Sequence, residues 1–273
     1  MILQQHTGWL ALWGGALVAA FSPLAAQVLF AVIAIGIVGM AHGASDLEVV
    51  RRDRQLPFLA GYGLVIVLCL FWWHWSPAVA LPGFLMASAV HFALEDAPHG
   101  HIAERLSRGI SLIATPATLH LAEYRSILHQ AGPGSAMPDS VTAGMAVAGG
   151  IAALCLVAAG AYRRERRLLV GTLTLLLLPP FVGFSMGFLI LHALPQTRER
   201  RNLLGFSHYS DYLRAVWPVL VAAILLVVLT SFLMQPHDVA GIRSLFAALA
   251  ALAIPHLIIT PWFEKQSHSG WHQ

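Results

Sequence analysis

Long uninterrupted apolar runs alternate with short polar stretches along the whole chain. The runs do not alternate residue by residue, as half-buried strands do. They are apolar all round over about the 20 residues that a helix needs to cross a bilayer. They predict helices over residues 9–21, 24–48, 57–75, 79–97, 109–129, 141–161, 212–234 and 242–262. Pro23 suits a helix start, where its missing N–H has no helical partner to lose. Residues 168–196 are different, because Pro179-Pro180 in their middle breaks a helix. That stretch is either one kinked span or two short limbs that enter and return on the same side.

Charge separates these two readings. Basic clusters occur as RRDR at 51–54, ERLSR at 104–108, RRERR at 163–167 and RERR at 198–201. Ser76-Pro77, residues 131–140 and QPHD at 235–238 carry no Lys or Arg. Short loops rich in Lys and Arg stay cytoplasmic. With the basic clusters inside and the neutral turns outside, every helix alternates only if 168–196 is a hairpin, so the broken hairpin is expected.

Composition fits a lipid solvent. Hydrophobic residues make up 58% and charged residues 11% of 273, and mean hydropathy is +0.71. Soluble domains carry roughly 25% charged residues. In lipid only helices and closed barrels satisfy the backbone. The expected fold is therefore an all-α integral membrane protein, a polytopic bundle of about seven to ten helical segments in one domain over 1–273. The N-terminus, MILQQHTGW, lacks the positive region of a cleavable signal, so the first apolar segment is expected to be retained. A multi-pass protein of the cell (inner) membrane follows. A net charge of +3, widely dispersed, argues against a nucleic-acid partner. Cys69 and Cys155 lie in apolar runs and read as small hydrophobes rather than a disulfide.

The candidate chemistry lies in the histidines, of which there are fourteen. A polar side chain at membrane depth marks function by default. His42 in GMAHGASD, His91 in SAVHFALED, His192 in LILHALPQ and His256 in AIPHLIIT fall near the inner ends of four inward-running segments, at a similar depth. Neutral imidazoles ligate iron, copper or zinc. Asp46 lies four residues after His42, and Glu95 and Asp96 lie four and five after His91. A ligand histidine commonly gives its other N–H to a carboxylate, and Asp46 with one of Glu95 and Asp96 suits that role. His74 sits in an aromatic belt. His99, His101, His208, His237, His268 and His272 read as loop or tail residues, and His120 and His129 lack an evident partner.

HGASD, HFALED, LILHALP and the late Pro255-His256 pair, in this order and within helices, resemble the bacteriorhodopsin-related protein family, the bacterial and archaeal β-carotene 15,15′-dioxygenases. The resemblance covers about residues 35 to 260 and includes RG at 108–109 and TPATLH at 115–120. It implies a non-haem Fe(2+) enzyme that splits a carotenoid with O2, giving retinal from β-carotene. It implies His42, His91 and His192 as iron ligands and hence catalytic residues. One position departs from the family: where it has a second late histidine, this chain has Gln196. Either the Gln196 amide oxygen or His256 then completes the metal shell. The implied partners are the carotenoid, O2 and the bilayer, with Phe84, Phe92, Phe184 and Phe188 available to hold a polyene. Phe181 and Trp217 are also available.

Other classes fit less well. An intramembrane zinc protease would show HExxH on a helix, and this chain has none. A di-iron desaturase would need histidine pairs clustered in polar segments. A non-catalytic carotenoid or retinal-pathway protein with a degenerate site remains the alternative.

Overall fold

The computed structural model describes residues 2–132, 137–234 and 241–263. The QPHD turn at 235–238, residues 133–136 of the other neutral turn, and His237, His268 and His272 lie outside the described residues. Within them the chain is helical and contains no strand. The helices are α1 (Ile2–Ala20), α2 (Leu24–Ile33), α3 (Gln55–Trp75), α4 (Pro77–Glu95), α5 (Ile102–Leu119) and α6 (Leu121–Ala131). They continue as α7 (Asp139–Arg163), α8 (Arg166–Leu177), α9 (Pro180–Phe188), α10 (Leu194–Leu203), α11 (Tyr209–Met234) and α12 (Ile242–Ile258). Among the described residues six helical stretches are long and apolar enough to cross a membrane: Leu24–Ser45, Arg52–Trp75, Pro77–Glu95, Asp139–Arg163, Tyr209–Met234 and Ile242–Phe263. The chain is an all-α polytopic membrane protein.

Four expectations about helix boundaries are corrected. The first helix begins at Ile2 rather than residue 9. The 24–48 segment is α-helical only to Ile33, then winds into a π turn at Ala34–Val38 and 3-10 turns at Gly39–Ala41 and Gly43–Ser45. The 109–129 helix instead starts at Ile102 and breaks at His120, where φ is −123° and ψ is 42°. Its charged start reads as a loop in sequence, but Glu104 and Arg108 pair one turn apart at 3.0 Å and make that turn helical. Finally, the chain does not end its helix at 196. A π turn at Leu189–Ala193 leads directly into α10, with Pro195 in its first turn. Proline at 195 has no N–H for the Leu191 carbonyl, which accounts for the displaced ladder there.

The chain divides into two compact units. The first comprises Met1–Gly39, Phe92–Arg125 and Asp139–His192. Here α5 lies against α7, with Thr115 Oγ1 donating to the Gly149 carbonyl and Thr118 Oγ1 to the Ala146 carbonyl, each at 3.0 Å. A Cβ at Gly149 would overlap the Ala114 carbonyl, so the two backbones meet directly. The double proline breaks the chain between α8 and α9, as expected. Leu178 is extended ahead of Pro179, and Pro180 opens the next helix. The limbs fold back on each other: a Cβ at Gly183 would meet the Thr174 carbonyl, one at Gly187 the Leu175 side chain, and one at Gly171 the Leu191 side chain. These close approaches put the two limbs side by side across the double-proline break. His120 finds a partner here, donating from Nε2 to the Leu177 carbonyl at the end of α8, 3.3 Å away. At the polar end of α5, Glu104 accepts both arms of Arg163 at 2.8 Å and one of Arg108 at 3.0 Å.

The second unit comprises Met40–His91, Ser126–Pro138 and Ala193–Gln273. In it α3 packs on α12, with Tyr62 donating to the Leu252 carbonyl at 3.2 Å. Helix α11 packs on the Gly43–Ser45 turn through a cluster of Ala44, Tyr212, Val216 and Leu220. Tyr212, fully buried, donates to the Ala41 carbonyl at 2.6 Å. That bond serves a carbonyl left over where regular helix gives way to 3-10 turns. Both cysteines are free thiols.

Candidate functional site

Each unit builds its own set of buried polar side chains. In the first, the π turn carries His192, which is 0% exposed. Its Nδ1 donates to Asp96 Oδ1 at 2.8 Å, and the Asp96 side chain is only 3% exposed. Two phenylalanines close on the imidazole, Phe92 edge-on at 4.8 Å between centroids and Phe188 tilted at 5.4 Å. Phe92 and Phe188 also touch each other at 6.0 Å, and Phe184 stacks on Phe188 at 5.8 Å. A Cβ at Gly39 would come within 2.7 Å of the Phe188 ring, so only glycine lets that ring settle there. Three of the four candidate polyene-holding phenylalanines thus form one aromatic group around His192. The fourth, Phe84, packs edge-on against Trp73 in the second unit at 6.2 Å.

In the second unit His256 Nδ1 donates to Asp46 Oδ2 at 2.6 Å, and Thr260 Oγ1 donates to the same oxygen at 2.7 Å. The rings of His42 and His91 stand edge-on to His256, at 5.6 Å and 5.4 Å between centroids. His42, His91 and His256 are each 8% exposed. With metal–nitrogen bonds of about 2.1 Å, two imidazoles sharing an ion have ring centres roughly 5 Å apart. His256 therefore stands from His42 and from His91 at a spacing compatible with sharing an ion.

The donor chemistry fits a metal ion. A carboxylate that accepts from Nδ1 fixes the N–H there and makes Nε2 the ligating atom. His192 and His256 are both arranged in this way. His91, Glu95 and His192 each offer a metal-ligating atom, the two histidines buried and Glu95 partly so. A Glu95 one turn after His91 on α4 adds a carboxylate to the available donors. Iron, zinc and copper all accept such donors.

The carboxylate partners differ from the expected ones. Asp46 serves His256 rather than His42, and Asp96 serves His192 rather than His91. The expectation assumed a regular helix with neighbours four residues apart. Residues 34–45 wind through π and 3-10 turns instead, and Asp96 lies one residue past the end of α4. Gln196 is half-buried in the first turn of α10, and Pro195 does not turn the chain out of its helix. His74, His99, His101, His129 and His208 are exposed. Trp217 is 60% exposed on α11 and Phe181 is buried on α9. Thr260 is the residue that sequence reading missed. The four-residue spacing from His256, the same spacing used to single out Asp46, could have found it.

A family model described as beta-carotene 15,15′-dioxygenase matches residues 17–264. No curated protein and no solved structure matches the chain.

Proposed function

The chain belongs to the beta-carotene 15,15′-dioxygenase family, and on that premise we propose that it cleaves the central double bond of a carotenoid with O2, β-carotene giving two molecules of retinal. We read it as one membrane domain of the inner membrane, with the basic residues around Arg52, Arg164 and Arg200 on the cytoplasmic side. The observation that carries the reading is the presence, in a membrane-spanning member of this family, of two buried imidazoles each oriented by a buried carboxylate. Buried ionisable groups in an apolar chain are expensive and fit a catalytic centre better than a passive carrier.

In this reading Fe(2+) is held by His42, His91 and His192, with His256 as the additional imidazole. Iron bound there would supply the O2 chemistry that a hydrocarbon and amino-acid side chains cannot perform. Asp96 and Asp46 keep the N–H of His192 and His256 at Nδ1, so Nε2 of each would be the atom that holds the metal. Phe92, Phe184 and Phe188 offer apolar faces against which a polyene can lie, next to His192. Cleavage is balanced when each alkene carbon receives one oxygen atom of the same O2, so no further reductant is needed. His256 is preferred to Gln196 as the fourth donor because its ring is already oriented by Asp46 and flanked by His42 and His91.

Gln196 also motivates the second reading, a non-catalytic carotenoid protein with a degenerate site. Expression in cells that make β-carotene, with retinal measured by chromatography and iron measured in the purified protein, separates the two. The expected result is retinal, about one iron per chain, and loss of both in His91→Ala and His192→Ala. Bound carotenoid without retinal would establish the carrier. Full iron and turnover in His91→Ala would remove that residue from the centre.

A further inference from the structure

We propose that Thr260 is a positioning residue for the metal centre: its hydroxyl fixes the Asp46 carboxylate, and through it the His256 ring, for binding a divalent metal at Nε2. The inference rests on the reading that His256 is a ligand. Buried hydroxyls in helices usually turn back to the carbonyl four residues earlier. Thr197 does so to Ala193, Ser185 to Phe181 and Thr230 to Leu226, at 2.7 to 2.8 Å. For Thr260 that partner would be the His256 carbonyl. Its Oγ1 donates instead to Asp46 Oδ2 at 2.7 Å, across 214 residues of sequence.

The geometry gives this bond a purpose. Thr260 and His256 lie one helical turn apart, and both donate to the same carboxylate oxygen, at 2.7 and 2.6 Å. Asp46 Oδ1 is buried and has no hydrogen-bond partner among the described residues. The carboxylate is thus held through one oxygen by two donors from one segment. Without the hydroxyl, the His256 contact alone would set the carboxylate's rotation, and ring and carboxylate could swing together. Thr260 is only 1% exposed, so water does not readily replace its hydroxyl.

The test uses the full chain in lipid-containing detergent, stripped of metal and titrated anaerobically with iron(II) alone, and separately with cobalt(II) alone, whose visible absorption reports on nitrogen ligation. The variants are Thr260→Val, Thr260→Ser and His256→Ala. Loss of an outer hydrogen-bond partner of a ligand costs metal proteins about 10- to 100-fold in affinity. Thr260→Val is expected to raise the dissociation constant roughly tenfold and alter the cobalt spectrum, and Thr260→Ser, which keeps the hydroxyl, to restore both. If Thr260→Val binds like the unaltered protein while His256→Ala loses affinity, the role of Thr260 is overturned and the ligand reading stands. If His256→Ala keeps full affinity, the ligand reading falls, and the role of Thr260 falls with it. Equal losses in Thr260→Val and Thr260→Ser would show a packing role and also overturn the proposal.

Discussion

In both compact units a buried imidazole gives its Nδ1 to a buried carboxylate, His192 to Asp96 at 2.8 Å in one and His256 to Asp46 at 2.6 Å in the other. The surroundings differ. His192 is wedged between the rings of Phe92 and Phe188, and among the described residues its carboxylate receives no second donor. His256 faces other imidazoles, and its carboxylate is also held by Thr260. One ring is thus held by packing and the other by a hydrogen-bond network. The two kinds of support respond to different substitutions, and that difference can be measured.

The largest effect on metal binding is expected from the carboxylates. Asp96→Asn and Asp46→Asn both remove a buried charge that raises the basicity of a ligand histidine. In position 46 the Thr260 hydroxyl still demands an oxygen acceptor, so the new amide should keep its oxygen toward His256. In position 96 only His192 selects the amide's orientation. Asp96→Asn should therefore weaken iron(II) binding toward the 100-fold end of the usual range, and Asp46→Asn toward the tenfold end. Chelator competition on the two purified variants measures this directly. The reverse order would show that the aromatic clamp is sufficient to fix His192 and that the Thr260 network is the more fragile support.

The contrast between packing and hydrogen bonding extends to the helices. In the first unit α5 and α7 approach so closely that a methyl group at Gly149 would overlap the Ala114 carbonyl. In the second, a methyl at Gly61 would lie 3.7 Å from the Ile259 side chain, an ordinary contact. Gly149→Ala is expected to destabilise by about 3 kcal/mol, the upper end for overpacking, because backbone rather than a side chain must move. Gly61→Ala should be within about 0.5 kcal/mol of neutral, the range usual for substitutions that meet no obstruction. Thermal unfolding in detergent distinguishes them. Equal stability of the two variants would mean that α5 and α7 can separate at little expense.

The sequence made the apolar spans legible because lipid demands long apolar runs, and it made the break at Pro179-Pro180 legible because proline removes a helical donor. His42, His91, His192 and His256 stood out for the same reason, as polar groups among apolar neighbours. Their partners were not legible. His256 meets Asp46 across 210 residues and His192 meets Asp96 across 96, and no local spacing encodes either pairing. The local rule gave the wrong partner for Asp46 because it assumes 3.6 residues per turn, and the π turn at Ala34–Val38 and the following 3-10 turns do not keep that period. The helical start of α5 was hidden for an electrostatic reason. Glu104 and Arg108 look like a solvated loop until Arg163, 59 residues away, closes on Glu104.

That closure yields the smallest expected effect, a dependence on acid confined to the first unit. Hydrogen bonds from Arg163, with those from Arg108 adding, outweigh desolvation and lower the Glu104 carboxyl from 4.5 to about 2. A carboxyl depressed by folding stabilises the native state above its unfolded value and loses that contribution as pH falls toward its folded value. The contribution is therefore complete above about pH 5 and disappears between about pH 4.5 and 2. Arg163 is 48% exposed, so solvent screening holds the effect to about 1 kcal/mol. The ion pair in the second unit, Arg51 with Asp53, is 49% and 61% exposed and should contribute little that pH could remove. The measurement is thermal unfolding of metal-free protein from pH 7 to 3, with Glu104→Gln and Asp53→Asn alongside. The other groups of the chain are common to all three proteins, so the informative quantity is the difference from the unaltered chain. For Glu104→Gln that difference should shrink as the pH drops below 4.5, and for Asp53→Asn it should stay near zero throughout. A constant difference for Glu104→Gln would show that the side chain acts through packing in α5, and that its bonds to Arg163 and Arg108 carry no electrostatic weight.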